Sequence, residues 1–174
     1  WLEVELAVTD ALAAVGVVPG ADARTLRERA TFDIARIEEI EQTTQHDVIA
    51  FTTAVAEKAG ESARWLHFGL TSSDVLDTAL ALQMRQACDL ILVDIDAALD
   101  AVRRRAEEHR DTPMIGRTHG IHAEPMTFGV KLALWYAELQ RGRVRVVRAR
   151  DAVAVGKISG AVGMFAHLDP SIEE

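Results

Sequence analysis

Residues 71–110, TSSDVLDTALALQMRQACDLILVDIDAALDAVRRRAEEHR, decide the fold of this chain. The hydroxyl residues that precede Asp74 are the signature of a helix N-terminus. From there apolar residues recur every three or four positions for about 35 residues, which predicts one helix roughly 50 Å long. A helix of this length is typical of an extended bundle. The residues predicted to form its buried stripe are Leu76, Leu80, Met84, Ala87, Ile91, Ile95, Ala98 and Val102.

Helical patterns also occupy the sequence on both sides of this segment. A second long helix is predicted from Met126 to about Val155, with Pro125 in its first turn. No stretch alternates apolar and polar residues for long enough to indicate a strand, so the sequence predicts an all-α fold. Four shorter helices are predicted before the long segment, one ending near Gly16 and the others over 21–30, from just after Thr31, and over 46–59.

The composition narrows the class of protein. The chain has 174 residues, 49% of them apolar, which is enough to bury a core. Its net charge of −8 argues against nucleic acid as a partner, because nucleic-acid-binding domains normally carry a basic stripe. No apolar run is long enough for a membrane span, so no membrane association is expected. Cys88 is the single cysteine, which excludes an internal disulfide and suits a reducing compartment such as the cytoplasm.

The short connection Ile115–Pro125, IGRTHGIHAEP, combines two histidines, an arginine, a threonine and a carboxylate between two long helical segments. Loops between rigid helices are where binding and catalytic groups concentrate. His119, next to a glycine, is a candidate to transfer protons near neutral pH. A metal site formed by His119, His122 and Glu124 is an alternative, although a pair of histidines at this spacing is weak evidence for one.

Three further polar segments are candidates. Gln45–Asp47 predicts either a capped helix start or a binding residue at His46. The segment His67–Asp74 has more hydroxyl groups than one cap needs, so it could bind a carboxylate or phosphate at the helix N-terminus. The glycine-rich segment Gly156–Gly163 lacks the order of a Walker-type phosphate loop, and Lys157 could lie in a simple turn or near an anion.

These four segments, in this order and spacing, closely resemble the adenylosuccinate lyases, a family within the fumarase/aspartase superfamily. The resemblance covers essentially the whole chain, including the opening Trp1–Glu5, and the Arg-Thr-His-Gly sequence at 117–120 separates this family from its argininosuccinate lyase and fumarase relatives. It implies an enzyme of purine nucleotide biosynthesis that eliminates fumarate from adenylosuccinate, giving AMP. The second implied substrate is succinylaminoimidazole carboxamide ribotide, giving AICAR.

The same resemblance implies an architecture and an assembly. An N-terminal helical domain would cover residues 1–72, and the first part of a central bundle of long antiparallel helices would cover 73–174. The family forms a cytoplasmic homotetramer whose active sites are shared between subunits, and it uses no metal or organic cofactor. The chain is expected to be a truncated piece that is inactive alone, because the serine base of the family lies beyond Glu174.

Roles for individual residues also follow from the resemblance. His119 would be the general acid that protonates the departing nitrogen, and His46 would contact the substrate and orient the catalytic groups. Lys157 would lie near a site or an interface. The substrate-binding candidates are Gln45, Asp47, Thr71, Ser72, Thr118 and His67, of which Thr71 and Ser72 would bind a succinyl carboxylate.

Two alternatives remain open from the sequence. One is another fumarate-releasing lyase of the superfamily, such as an argininosuccinate lyase. The other is a non-catalytic helical module whose long apolar stripes serve only oligomerisation, which would leave the hydroxyl cluster and His119 without a purpose.

Overall fold

The computed structural model describes all residues 1–174 as six α-helices and one β-hairpin, which confirms a predominantly helical fold. None of the helices combines the length and the apolar character needed to cross a membrane. Two short 3₁₀ helices cover Gly60–Trp65 and Pro170–Ile172. The α-helices are α1 (Leu2–Ala14), α2 (Gly20–Arg29), α3 (Ile34–Thr44), α4 (Asp47–Ala59), α5 (Ser72–Glu108) and α6 (Phe128–Val153), and the strands are β1 (Pro113–Thr118) and β2 (Ile121–Thr127).

The chain divides into two compact units. Unit 1 comprises residues 1–81 and 155–174, and unit 2 comprises residues 82–154. The long helix α5 therefore contributes its first turns to unit 1 and the rest to unit 2. The boundary expected after residue 72 belongs to the domain scheme of a longer family member and stays a prediction.

Unit 1 is built on apolar side chains from α1, α2 and α4. Leu6, Leu26 and Ala59 form the buried centre, and Trp65 and Leu66 pack against it. Removing such side chains from water supplies most of the free energy that stabilises a small helical unit.

Unit 2 consists of the rest of α5, the hairpin and α6. Arg143 binds Asp96 at 2.6 Å, and Arg150 binds Asp89 at 2.5 Å. The second ion pair lies seven residues earlier on α5 and seven residues later on α6, so the two helices run antiparallel with a heptad-like spacing. This arrangement confirms the predicted pair of long antiparallel helices.

The buried stripe predicted on α5 is wrong in its details. None of its eight residues is buried in this chain, and Leu80 and Ile91 are 53% and 47% exposed. α5 has apolar residues around a wide arc of its surface, and each unit covers only part of that arc. The residues of α5 that are buried instead are Val75, Ala79, Ala81 and Leu99, together with Asp74.

The loop predicted between the two long helices is a β-hairpin. Pro125 lies in β2 opposite Ile115, and not in the first turn of α6, which begins at Phe128 after the cap residue Thr127. Most side chains of both strands are exposed, so neither strand has the alternating apolar face by which a strand is predicted from sequence.

Candidate active site

The hairpin tip places His119 in an unusual backbone conformation. Thr118 pairs with Ile121, so His119 and Gly120 form a two-residue turn with φ angles of +51° and +76°. Two consecutive positive φ angles are the requirement of a type I′ turn, and histidine adopts them more readily than most residues do. The His119 ring is exposed at this tip and makes no hydrogen bond within the chain, so both ring nitrogens are open to a ligand.

A β-bulge just before the tip fixes the course of β1. The strand register shifts between Ile115 and Arg117. A Cβ on Gly116 would lie 2.9 Å from the carbonyl oxygen of Glu124, so the close approach of the strands requires glycine at this position. After the bulge Arg117 lies opposite His122. No three His, Cys, Asp or Glu side chains of the chain converge as metal ligands would.

At the start of α5, the helix is capped by a carboxylate and not by the hydroxyl groups. Oδ2 of Asp74 accepts a hydrogen bond from the backbone N–H of Thr71 at 2.9 Å. The hydroxyls of Thr71 and Ser72 are half-buried and make no hydrogen bond within the chain. Because the cap does not use them, both hydroxyls are available to an anion at the helix N-terminus.

Lys157 holds the glycine-rich segment against this helix start. Its Nζ donates to Oδ1 of Asp74 at 2.7 Å, to the carbonyl of Gly160 at 2.6 Å and to Oγ of Ser73 at 3.3 Å. The backbone N–H of Gly160 also donates to Asp74 Oδ1 at 3.1 Å. All three ammonium protons of Lys157 are thus engaged, and the fully buried carboxylate of Asp74 is neutralised. Lys157 therefore organises the helix start and has no proton left for a ligand.

His67 is held by a residue that the sequence reasoning missed. Glu5 accepts hydrogen bonds from the backbone N–H and from Nδ1 of His67, each at 2.7 Å. The hydrogen bond to the Glu5 carboxylate raises the pKa of the His67 imidazole, against the opposing effect of partial burial. Only the position of this acid among the apolar residues Val4, Leu6 and Val8 of α1 could have signalled it.

Gln45, His46 and Asp47 lie at the junction of α3 and α4, where they act as caps. The Gln45 side chain donates to the carbonyl of Gln42 at 2.9 Å. Nδ1 of His46 lies 3.4 Å from the backbone nitrogen of Ile49 and 3.4 Å from Oδ1 of Asp47, while Nε2 makes no hydrogen bond within the chain. Asp47 Oδ1 accepts from the N–H of its neighbour Val48 at 2.7 Å.

The candidate residues thus occur in both units. Unit 2 contains Thr118 and His119 at the hairpin tip. Unit 1 contains the others. Within unit 1, His67, Thr71 and Ser72 share the short connection that leads into α5, and residues 45–47 lie at the α3–α4 junction.

The sequence matches a family model described as "Lyase" over residues 2–174. It is 52% identical over 174 residues to the adenylosuccinate lyase of Bacillus subtilis (strain 168), covering 100% of this chain and 40% of that protein. It is 54% identical over 173 residues to the adenylosuccinate lyase of Synechocystis sp. (strain ATCC 27184 / PCC 6803 / Kazusa), covering 99% of this chain and 40% of that protein. The chain therefore spans about 40% of the length of these curated relatives.

Solved structures with the same fold include enzymes with other names. A fumarate lyase from Mesorhizobium sp. BNC1 superposes with a TM-score of 0.89 at 32% identity, covering 99% of this chain and 42% of that one. A 3-carboxy-cis,cis-muconate lactonizing enzyme from Pseudomonas putida superposes with a TM-score of 0.85 at 33% identity, covering 95% of this chain and 39% of that one. The fold alone thus accommodates more than one reaction.

Proposed function

This chain belongs to the lyase family, and on that premise we propose that it is part of an adenylosuccinate lyase. The full-length protein would cleave adenylosuccinate to AMP and fumarate in purine nucleotide biosynthesis. It would also release fumarate from succinylaminoimidazole carboxamide ribotide, giving AICAR. The proposal rests on sequence identities of 52% and 54%, over 100% and 99% of this chain, to curated relatives named adenylosuccinate lyase. The lactonizing enzyme has the same fold at 33% identity, so the fold alone does not assign the substrate.

Eliminating fumarate requires two proton transfers at opposite ends of the breaking bond. A base removes the proton beside a carboxylate, and an acid protonates the nitrogen as the C–N bond breaks. We assign the acid to His119, because its ring is exposed and histidine is the side chain that most often serves as a general acid or base. The base is expected from residues that follow this chain in the full-length protein.

A carboxylate of the succinyl group is assigned to the start of α5. Thr71 and Ser72 have unused hydroxyls, and the free N–H groups and dipole of the helix favour an anion there. Asp74 would oppose an anion, but its charge is neutralised by Lys157. The arrangement therefore supports carboxylate binding more strongly than a bare row of hydroxyls would.

The remaining candidates are assigned supporting roles in substrate binding. His46 would contact the substrate through Nε2, since Nδ1 accepts from the helix backbone. Gln45 and Asp47 would shape the surface beside it, although the structure has both engaged in capping. Thr118 would line the site next to His119, where it is exposed at the hairpin tip.

The full-length protein is proposed to be a cytoplasmic homotetramer with active sites shared between subunits. Support comes from large apolar side chains that this chain leaves exposed on both long helices. Large exposed apolar side chains on both long helices favour burial against another subunit over permanent contact with water. The residues include Leu90 at 71% and Val93 at 67% exposure on α5, and Val130 at 61% and Leu134 at 65% on α6.

The substrate can be tested by absorbance on the purified full-length protein. Adenylosuccinate and argininosuccinate are offered separately, with the 174-residue chain alone as the control. We expect fumarate from adenylosuccinate only, and no turnover by the chain alone. Release from argininosuccinate instead would identify a different lyase of the superfamily. Absence of turnover and of substrate-analogue binding would favour the non-catalytic assembly module.

A further inference from the structure

Glu5 has a buried carboxylate, and burying an ionised group costs free energy because the group loses its contact with water. It lies on the inward face of α1 between Val4 and Leu6, and its side chain is 0% exposed. An ionised group in such surroundings needs a charged or hydrogen-bonding partner to offset the loss of water. Its presence there calls for a role that an apolar residue could not fill.

Both oxygens of Glu5 are used by one residue, 62 positions later in the sequence. Oε2 accepts from the backbone N–H of His67, and Oε1 accepts from Nδ1 of the same residue. His67 has a φ angle of +59°, in the left-handed region that few residues other than glycine adopt, and the Glu5 contact holds its backbone there. Glu5 thus holds both the main chain and the ring.

The contact also determines which nitrogen of His67 exchanges protons. An ionised carboxylate only accepts hydrogen bonds, so Nδ1 of His67 must carry a proton. Nε2 is then the atom that gains or loses a proton. It makes no hydrogen bond within the chain, and it is not among the enclosed polar atoms without a partner. Nε2 is therefore open to a ligand.

We infer that Glu5 is a positioning residue of the substrate site, acting through His67 so that Nε2–H of this histidine binds an anionic group of the substrate. The inference rests on the proposed function, because it takes the connection between His67 and α5 as part of that site. In this arrangement Glu5 contributes to binding by holding His67. Protonated His67 and the hydroxyls of Thr71 and Ser72 then bind anionic groups of the substrate together.

The charges around His67 favour its protonated form. Glu5 faces it from α1, and Asp74 faces it from α5, where Lys157 pairs with Asp74. The pKa of His67 is raised, first by the hydrogen bond to Glu5. Affinity for an anion should therefore extend to higher pH than an ordinary histidine would allow, and fall as the pH rises through this raised pKa.

The effect of Glu5 on the tautomer and pKa of His67 can be measured on the 174-residue chain by ¹⁵N-edited NMR of the histidine rings. We expect His67 to be the Nδ1–H tautomer when neutral, and the variant Glu5→Gln to lower its pKa. Glu3→Gln is the matched control, because Glu3 is an exposed acid on the same helix. A neutral Nε2–H tautomer, or the same His67 pKa in Glu5→Gln as in the native chain, would overturn the inference.

Steady-state kinetics of the full-length protein provide the functional test. Glu5→Gln should raise KM roughly tenfold, the expected effect of weakening one charge-assisted hydrogen bond, while kcat changes little. The pH above which KM rises should move to lower pH in Glu5→Gln and be absent in His67→Gln. A variant with merely reduced stability would lose active protein without moving this pH dependence. Kinetics of Glu5→Gln equal to those of Glu3→Gln would contradict the inference.

Two outcomes separate this inference from the proposed function. If the native full-length protein releases fumarate but Glu5→Gln behaves as its control does, only the role of Glu5 fails. If the native protein releases no fumarate, the proposed function fails, and the NMR titration still decides whether Glu5 sets the tautomer and charge of His67. If Glu5→Gln does not fold, the tautomer of the native chain and the KM profile of His67→Gln decide the matter.

Discussion

At the scale of single residues, unit 1 is stabilised by buried or half-buried carboxylates that each accept several hydrogen bonds. Asp22 is an example: it accepts from Oγ of Ser62 at 2.8 Å, Nη2 of Arg64 at 2.9 Å and Nε1 of Trp65 at 2.9 Å. These bonds attach the 3₁₀ helix Gly60–Trp65 to α2. The hydrogen bonds from Ser62 and Trp65 lower the pKa of the Asp22 carboxyl.

Asp22→Asn should destabilise the chain, because the new amide NH₂ would face donors where a carboxylate accepted three bonds. We expect a melting temperature lower by about 5 °C at pH 7, measured by circular dichroism. Since the folded pKa of Asp22 is depressed, its contribution is complete above the ordinary aspartate pKa of 3.8 and is lost as the pH falls through the folded pKa.

The difference between Asp22→Asn and the native chain should therefore shrink in acid. Glu28→Gln, at an exposed acid on the same helix, serves as the control and should melt with the native chain. A gap in melting temperature between Asp22→Asn and the native chain that is constant from pH 7 to pH 3 would contradict this role of the Asp22 charge.

The sequence identified the polar segments but not the partners that hold them. Asp74 and Lys157 are 83 residues apart, and Glu5 and His67 are 62 residues apart. Pairs so distant have no local periodicity, so composition and spacing could not join them. For the same reason, the sequence predicts no specific role for Lys157 and does not identify Glu5.

At the scale of elements, the first turn of α6 packs closely on the end of α5. The backbone N–H of Gly129 donates to the carbonyl of His109 at 2.9 Å. A Cβ at Gly129 would lie 2.6 Å from the carbonyl oxygen of Ala106 and from Cα of Arg110. Backbone atoms cannot move aside as a flexible side chain can, so glycine is required for this contact.

Gly129→Ala should therefore destabilise the chain by about 1–3 kcal/mol, the usual cost of overpacking. Gly142→Ala on the same helix is the matched control, because its Cβ would meet only Nη2 of Arg145, at 3.7 Å. Alanine favours helix over glycine, so Gly142→Ala should raise stability by up to about 1 kcal/mol. Urea denaturation measures both, and equal effects of the two substitutions would refute the proposed packing.

The element boundaries show what sequence periodicity can and cannot locate. The predicted long helix from the hydroxyl cluster to the arginine-rich end is confirmed as Ser72–Glu108, since caps and a repeating apolar pattern marked it. The hairpin was missed because its two-residue turn is His119-Gly120, and not the Asn-Gly or Asp-Gly pair that usually signals such a turn.

At the scale of the whole molecule, several large apolar side chains of α5 and α6 are exposed within this chain. The sequence predicted Leu80 and Ile91 to be buried, but periodicity does not say whether the covering surface comes from the same chain or another one. Leu80, Ile91 and Leu134 remain exposed here, which fits the proposed tetramer.

Leu134→Glu in the full-length protein should weaken the tetramer, because it places a charge on a surface meant to be buried. Light scattering after size exclusion is expected to show smaller species, with helical content retained. Gln140→Glu adds the same charge at an exposed polar position of α6 and should leave the mass unchanged. A Leu134→Glu protein with the native mass would show that this surface is not at a subunit interface.

The central claim is that the hairpin tip presents a proton donor to a fumarate-releasing site. The most direct measurement is the rate of fumarate release from adenylosuccinate by the full-length His119→Ala variant, beside His167→Ala, which alters an exposed histidine elsewhere. We predict a loss of roughly 10²–10⁴-fold in kcat for His119→Ala, with the fold intact, and native turnover for His167→Ala. Turnover close to that of the native protein would contradict the assignment of His119.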